Sequence, residues 1–422
     1  MNARNGLILL LLISLGFVFQ GCDKDDCVAE VTYVQYIPVW MTPEDVRQPV
    51  EVEAPRPLGN TGKIYYYQNY ILVNEIREGI HVIDNSNPAS PSNLGFIKIL
   101  GNVDMAVKGN ILYADNFMDL LAIDFTDPMN AILVKRVEEV FPLNGNDGEG
   151  NWLVYYDQKL ITEDMDCNRQ NVLWNGGFWL DNGVFATAEA NAQTGGANAP
   201  AGVGGSMARF TLYDNYLYAV DQSNLRVFSV ADIACPNLVS TVNAGWGIET
   251  IFPYGENLFL GSESGMFIFD NSDPANPTYL SVFRHATACD PVFVKDNYAY
   301  VTLRDGTFCQ GFSNQLDLVD ITSLTNPSLV ETFPMHNPHG LSILDNSLFV
   351  CEGDEGLKAF DIADPLILDE KLTDHIKGFH AFDVIALPNG LLMIIGEDGL
   401  YQYDASNPDD LQEVSVIPVL RS

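Results

Sequence analysis

The sequence is poor in basic residues. Its 21 Lys and Arg stand against 56 Asp and Glu, which gives a formal net charge of −35. Nucleic acids and anionic membrane surfaces are held by basic patches, so this balance argues against both as partners. The long Ala, Glu, Lys and Leu runs of helical proteins are also missing. The β-branched and aromatic residues that pack half-buried strands are abundant instead, and they predict an all-β protein.

Recognisable catalytic signatures are missing as well. The chain has no glycine-rich phosphate loop, no His-Glu-x-x-His, no Gly-x-Ser-x-Gly and no Cys-x-x-Cys. Glu249 and Asp290 could serve as an acid pair for glycoside hydrolysis. In a chain with 56 Asp and Glu, however, such a pair is expected by chance. We therefore expect a protein that is not an enzyme and has no cofactor; a bound divalent cation is the alternative.

The N-terminus has the pattern of an export signal. Arg4 precedes an apolar run at residues 7–19, which is shorter than a membrane-spanning helix requires. A cysteine directly after a small residue, as at Cys22, resembles the bacterial lipobox, although residues 19–20 depart from its commonest residues. The resemblance implies that residues 1–21 are a signal peptide and that Cys22 is lipidated. A simple secretory signal is the alternative.

The segment after Cys22 bears on location. Residues 24–26, Lys-Asp-Asp, resemble the acidic export signal of some Bacteroidetes surface lipoproteins. We expect an outer-membrane lipoprotein exposed on the cell surface, with a periplasm-facing location as the alternative. Its only contact with the membrane would be the lipid anchor. Six further cysteines would then lie in an oxidising compartment, where disulfides persist.

A repeat organises the rest of the chain. Seven segments share an apolar strand that usually ends in Asp and is followed by a proline within seven residues. These third strands are predicted at residues 79–84, 119–124, 224–229, 265–270, 315–320, 356–361 and 399–404. A period of about 40 residues with four short strands per unit is typical of propeller blades. We predict a seven-bladed β-propeller of four-stranded antiparallel blades, with a β-solenoid of shorter repeats as the main rival.

The phrase at the end of the third strand resembles the LVIVD-repeat family. It reads HVIDNSNP, LAIDFTDP, FIFDNSDP and KAFDIADP at residues 81–88, 121–128, 267–274 and 358–365. The resemblance covers nearly all of residues 63–417. It implies a propeller-like, cell-surface-associated protein, and it carries over no catalytic residues.

Domain boundaries follow from the repeat. Residues 22–62 are predicted to be a tether with a potential ring-closing strand, and residues 63–422 the propeller. One long insertion, at about residues 138–208, separates the second and third blades. It contains several Trp residues and a Gly/Ala/Asn-rich stretch at residues 190–205, which we expect to be flexible.

Unusual residues gather on one predicted face. In an up-and-down blade, the start of the first strand, the turn between the second and third strands and the connection to the next blade share a face. The heads of the first strands form a candidate ligand-binding ring: Lys63, Asp104, Arg209, Glu249, Asp290, His339 and Asp383. The ring is either a polar plug of salt bridges or a site for a small polar ligand or cation.

Two further features belong to this face. His336 and His339, with the neighbouring acids Asp290 and Asp383, are weak candidates for a metal site, but their spacing does not establish one and we assign no metal. Tryptophans in the interblade connections could stack on sugar rings or pack the insertion onto the propeller: Trp152, Trp174, Trp179 and Trp246.

One disulfide is predicted. Cys289 begins the first strand of the fifth blade and Cys309 lies in that blade's lengthened turn, on the same face. Their Cα atoms could lie about 5–6 Å apart, as a disulfide requires.

The functional expectation is a monomeric, non-enzymatic binding or interaction propeller of the cell envelope. Its ligand would meet the face that carries the ring and the interblade loops. Its partner would be a small molecule, a glycan or an envelope protein. The alternatives are a polysaccharide-active propeller enzyme that uses ring carboxylates, and a scaffold for envelope proteins.

Overall fold

The computed structural model describes residues 28–141, 143, 145–166, 202–285, 291–304 and 314–420. The chain divides into two compact units. The smaller unit, Met1–Trp40 with Leu153–Gly183, contains two long paired strands, β1 (Val28–Met41) and β11 (Trp152–Asp166). The larger unit, Met41–Trp152 with Val184–Ser422, contains all the other strands.

The larger unit is the predicted seven-bladed propeller. Each blade is an antiparallel sheet whose four strands follow one another in chain order from the axis outwards. Blades 1 and 2 comprise β3 (Thr61–Tyr67), β4 (Tyr70–Glu75), β5 (Gly79–Asp84) and β6 (Ser92–Lys98), then β7 (Met105–Lys108), β8 (Ile111–Asn116), β9 (Asp119–Asp124) and β10 (Ile132–Val137). Blades 3 and 4 comprise β13 (Phe210–Tyr213), β14 (Tyr216–Val220), β15 (Asn224–Ser229) and β16 (Asn237–Asn243), then β17 (Ile248–Tyr254), β18 (Asn257–Ser262), β19 (Gly265–Asp270) and β20 (Thr278–Arg284). Blades 5 and 6 comprise β21 (Val292–Lys295), β22 (Tyr298–Leu303), β23 (Gln315–Asp320) and β24 (Ser328–Pro334), then β25 (Leu341–Leu344), β26 (Ser347–Cys351), β27 (Leu357–Asp361) and β28 (Leu372–Ile376). Blade 7 comprises β29 (Ala381–Ala386), β30 (Leu391–Gly396), β31 (Gly399–Asp404) and β32 (Gln412–Pro418).

Packing between blades closes the ring. Leu58, just before blade 1, and Ile71 of blade 1 share one apolar cluster with Met393 of blade 7. Beside it the backbone N–H of Leu420 donates to the carbonyl of Leu58 at 2.7 Å. Each sheet is too narrow to bury both its faces alone, so this shared core is what makes the repeat array stable.

The stretch before blade 1 runs along the outside of the propeller. The four-residue helix α1 (Pro43–Val46) precedes β2 (Glu51–Glu53), which pairs with the outermost strand of blade 1. None of the helices in the described residues has the length and hydropathy needed to span a bilayer.

The repeated Asp has a local structural role. Asp84 accepts a hydrogen bond from the backbone N–H of Ser86 at 2.8 Å, and Asp270 accepts one from Ser272 in the same way. These backbone N–H groups lower the pKa of both carboxyls. The same bond recurs at Asp124, Asp320, Asp361 and Asp404. The side chain therefore ends the third strand by capping a tight turn. We call the face with these loops the Asp–Pro face.

A short segment from the end of the insertion fills the centre of the ring. Within residues 202–208, β12 (Val203–Gly204) pairs with the inner edge of β3. The carbonyl of Ala208 accepts from Ile251 N in blade 4, and Ser206 Oγ accepts from Leu341 N in blade 6, both at 2.9 Å. We call this stretch the central segment. Residues 202–205 lie buried or nearly so, which corrects the expectation that this end of the glycine-rich stretch is flexible.

Candidate functional site

The interblade face is opposite the Asp–Pro face. We define it by the loops that join blades, at residues 99–104, 244–247, 335–340 and 377–380, and by the turns between second and third strands, at residues 76–78, 221–223, 263–264, 352–356 and 397–398. Antiparallel alternation brings these segments to one side of the ring.

Two of the predicted ring residues form a buried ion pair. Lys63 Nζ lies 2.9 Å from Asp104 Oδ2, and both side chains are almost completely buried. Lys63 also donates to the carbonyl of Met207 in the central segment at 3.2 Å. Asp104 Oδ2 accepts further hydrogen bonds from the backbone N–H groups of Arg209 and Phe210, at 2.6 and 3.0 Å. At these two positions the ring contains a buried ion pair of the kind that the polar-plug interpretation describes.

Asp383 in β29 is different. Its side chain is 0% exposed, and neither carboxylate oxygen has a hydrogen bond of good geometry among the described residues; the N–H of Val384 and the hydroxyl of Ser206 are the nearby donors. Oδ1 lies so close to Gly340 that a Cβ there would be 1.8 Å from it. Burial raises the pKa of Asp383 well above its ordinary range, although the N–H of Val384, the charge of Lys63 and the nearby Ser206 hydroxyl act in the opposite direction. Asp383 is thus a buried acid that the ring does not neutralise.

His339 lies in a buried basic environment. Arg304 Nη1 lies 2.8 Å from His339 Nε2, and the His339 ring lies 5.4 Å from the ring of His380. Burial first, then Arg304 and His380, holds the pKa of His339 well below its usual range. The side chain of His380 contacts Asp354, with 2.6 Å between Nδ1 and Oδ1. Across the described side chains, no cluster of three or more His, Cys, Asp or Glu is arranged to hold a metal ion.

Buried carboxylates hold loops of the interblade face in place. Glu352, the first residue of the turn after blade 6's second strand, is fully buried and accepts from the backbone N–H groups of His336 and Asn337, at 2.7 and 3.0 Å. It also pairs with Lys358 Nζ at 3.2 Å. Acceptance of several N–H groups by one carboxylate compensates its burial and immobilises the loop. His336 therefore contributes a backbone N–H to this contact.

The same device recurs in blades 1 and 2. Glu75 accepts from the N–H groups of Gly59 and Asn60 and from His81. Burial raises the pKa of Glu75, but these hydrogen bonds outweigh it and bring the pKa below its ordinary value. In blade 2, Asp115 accepts from the N–H groups of Val103 and Asp104 at 2.8 and 2.9 Å. There burial prevails and raises the pKa of Asp115 to about 6.

Trp246 is the exposed aromatic residue of this face. It is 63% exposed, on the loop that joins blades 3 and 4. The flanking residues Ala244 and Ile248 are buried, and their N–H groups donate to the carbonyls of Ser223 and Gln222 at 2.8 and 3.0 Å. The loop is thus fixed although its central side chain faces water.

The remaining predicted residues are placed as follows. Glu249 lies partly exposed in β17, and Arg209 reaches the Lys63–Asp104 pair through its backbone. Cys22, Cys289, Asp290 and Cys309 lie outside the described residues, as do Trp174 and Trp179. Lipidation at Cys22 and the Cys289–Cys309 disulfide therefore stay predictions.

Sequence reasoning missed several residues of this region. Arg304 and Ser206 reach the centre from a second strand and from the insertion, and neither lies at the head of a first strand. The anchoring acids Glu75 and Glu352 were also missed. Both lie where a second strand gives way to its turn, Glu75 as the last residue of the strand and Glu352 as the first residue after it, and this position was the signal that could have found them.

The sequence comparison identifies repeats. The LVIVD repeat model matches residues 58–97 and 287–334, which correspond to most of blade 1 and to blade 5. The resemblance to LVIVD-repeat proteins is thereby confirmed in these two blades. No curated protein sequence matches the chain.

Several solved structures resemble the chain at low sequence identity. The computationally designed protein Ika8 has a TM-score of 0.50 at 9% identity, over 88% of this chain and 93% of that chain. Hsv2 of Kluyveromyces marxianus has a TM-score of 0.48 at 9% identity, over 85% and 99%. Sqt1 of Saccharomyces cerevisiae has 0.47 at 8%, over 88% and 89%. At such identities, the similarity to Ika8 concerns the fold alone.

Proposed function

We propose that this LVIVD-repeat β-propeller is a non-enzymatic binding protein of the bacterial cell envelope. It acts as a monomer, needs no cofactor, and is attached to the outer membrane through lipid on Cys22, on the cell-surface side. Its ligand is a small molecule, a glycan or part of an envelope protein, and it binds on the interblade face.

The observation that carries this proposal is the fixing of loops at this end of the blades by buried or half-buried carboxylates. Asp115, which is half-buried, and Glu352, which is buried, each accept two backbone N–H groups of an interblade loop, and buried Glu75 accepts two from the segment that enters blade 1. Burying a charge is costly even when it is hydrogen-bonded, so such acids are a poor way to stabilise a fold. They are a good way to hold loops in one conformation, and a preorganised surface loses less entropy when it binds.

The centre of the ring supports a surface site over a channel site. The central segment and the Lys63–Asp104 pair occupy the axis and contact each other, and Asp383 is completely buried, so these groups are closed to solvent. Side chains that could contact a ligand are exposed on the loops instead, among them Trp246 and Asp354. The net charge of −35 favours neutral or cationic ligands.

Thermal unfolding of the purified protein tests the proposal. It should be followed against a library of glycans, metal ions and small metabolites. Ligand at a hundred times its Kd stabilises by about 2.7 kcal/mol, which a thermal scan resolves. We expect at least one stabiliser that is not consumed. Turnover of the stabiliser would instead support the enzyme alternative. If no compound raises the unfolding temperature, an envelope-protein partner is favoured.

Steric blocking then distinguishes the two faces. Cys235 is an exposed free thiol in the Asp–Pro loop of blade 3, so modification with a bulky polyethylene glycol maleimide covers the Asp–Pro face. Asp354→Cys in a Cys235→Ser background places the same label on the interblade face, and peptide mass spectrometry verifies its position. We expect stabilisation to disappear with the label at residue 354 and to survive with the label at residue 235. The reverse pattern would contradict the proposal.

A further inference from the structure

Trp246 is a large apolar side chain that the fold leaves exposed, so its burial does not contribute fully to stability. Burial of a side chain of this size stabilises a protein by about 1.5–3 kcal/mol. The hydrogen bonds that fix the loop are made by the backbone of the flanking residues and do not depend on the side chain at position 246. Tryptophan is enriched among the residues that dominate binding energy, so an exposed Trp on a fixed loop is a candidate contact residue.

The backbone of the loop is built to turn this side chain outwards. Gly245 and Gly247 flank Trp246 with φ angles of 121° and 66°, in the region that favours glycine. A Cβ at either position would also lie 2.9 Å from a neighbouring side chain, Phe267 or Glu263. Glycine is thus required on both sides of Trp246, in a loop whose outer residues Ala244 and Ile248 are buried.

Polar groups of both neighbouring blades flank the loop. On the blade 3 side, Asp221 and Arg226 form a half-buried ion pair at 2.8 Å, beside the Gln222 carbonyl that accepts from the loop. On the blade 4 side, the side chain of Glu263 packs against Gly247, and its N–H donates to the Gly247 carbonyl at 2.9 Å. The loop that carries Trp246 thus has the Asp221–Arg226 ion pair beside it in blade 3 and Glu263 beside it in blade 4.

We propose that Trp246 is the stacking platform of a saccharide subsite for a neutral pyranose glycan. This inference rests on the proposed binding function and names its ligand class. The apolar C–H face of a pyranose ring packs on an aromatic plane, and its hydroxyl groups need polar partners at the edge of that plane. Nucleotide bases also stack on tryptophan, but their phosphates would meet a protein of net charge −35 and an edge that carries Asp221 and Glu263.

The test uses the purified full chain and four soluble neutral hexasaccharides: maltohexaose, cellohexaose, laminarihexaose and mannohexaose. Binding is measured by calorimetry, and N-bromosuccinimide oxidation of Trp246 is followed by peptide mass spectrometry. We expect at least one of the sugars to bind and to protect Trp246 from oxidation. Trp246→Ala should raise the Kd about tenfold or more, and Trp246→Phe should recover part of the loss.

Trp40→Ala is the matched control. Trp40 is 40% exposed and belongs to the smaller unit, so its loss should leave the Kd unchanged. Failure of all four sugars to bind, or equal Kd values for wild type and Trp246→Ala, would overturn the subsite. A library stabiliser that is blocked by the label at residue 354 but indifferent to Trp246→Ala would overturn the subsite and leave the interblade binding face standing.

Discussion

Replacement of Asp383 by Asn is expected to raise the free energy of unfolding by an amount that grows with pH. The carboxyl is fully buried and has no hydrogen bond of good geometry among the described residues, and burial raises its pKa well above its ordinary range although Val384 N–H, Lys63 and Ser206 act against it. In the unfolded chain its pKa returns to about 3.9. Above that value the unfolded state has lost a proton that the folded state still holds.

The sign and the size of the effect follow from this difference. Because the folded state binds more protons, the stability of the wild type falls as pH rises, by about 1.4 kcal/mol per pH unit, until the pH reaches the folded pKa. Asn has the same shape beside Gly340 and no proton to lose. The free energy of unfolding of the variant should therefore lie within about 1 kcal/mol of the wild-type value at about pH 4. At higher pH it should exceed the wild-type value by a growing amount.

Urea unfolding followed by tryptophan fluorescence, at about pH 4, 6 and 8, measures the difference. Asp317→Asn is the control, because Asp317 is 2% exposed but accepts from Gln315 Nε2 at 2.8 Å and Thr332 Oγ1 at 2.7 Å. It should be destabilised by about 1–2 kcal/mol at neutral pH. If Asp383→Asn is less stable than the wild type at every pH, Asp383 is ionised and partnered, and the reasoning is wrong.

Three further variants test other parts of the structure. Lys63→Met should lower the free energy of unfolding by about 3–5 kcal/mol, because it leaves Asp104 buried without its ion-pair partner, and Asp104→Asn in the same chain should recover part of the loss in urea titrations. Gly202→Ala should lower it by about 1–3 kcal/mol, because a Cβ would lie 2.1 Å from the ring of Tyr65; an unchanged midpoint would contradict a central segment at the axis. Glu352→Gln should accelerate hydrogen exchange of the two loop amides that Glu352 accepts, and unchanged exchange there would show that the carboxylate does not hold the loop.

The outer parts of the blades could be predicted from the sequence almost to the residue. The third strands at 79–84, 119–124 and 399–404 begin and end where the repeated phrase places them. The reason is local, since an Asp that caps its own turn and a proline soon after it leave little freedom in where the strand stops. Only the sixth blade differs, where the strand begins one residue later, at Leu357.

The axis of the propeller was less predictable. The first strands of blades 1, 4 and 7 have register irregularities near their starts, so an equal count from each third strand does not place equivalent side chains at the centre. The expected ring accordingly separates into the buried Lys63–Asp104 pair, the separately buried Asp383 and a His339 that contacts Arg304. Their partners come from distant parts of the chain, and no local pattern encodes them.

The central segment could not be foreseen either. Its composition of Gly, Ser and Ala is that of a flexible linker, and composition alone favours that interpretation. In the structure, the small side chains of residues 202–205 allow close packing rather than flexibility, because these residues fit between the inner strands. Gly202, which lies against Tyr65, shows that a residue without a side chain can be demanded by packing as well as by flexibility.

Hydrogen exchange with and without the best stabiliser tests the central claim that the interblade face is the binding surface. Peptides that cover the loops at residues 244–247, 335–340 and 377–380 report on this face, and peptides that cover the Asp–Pro loops after Asp84, Asp270 and Asp404 report on the other. We predict slower exchange confined to interblade loops when ligand is bound. Protection confined to the Asp–Pro loops, with the interblade loops unchanged, would contradict the account.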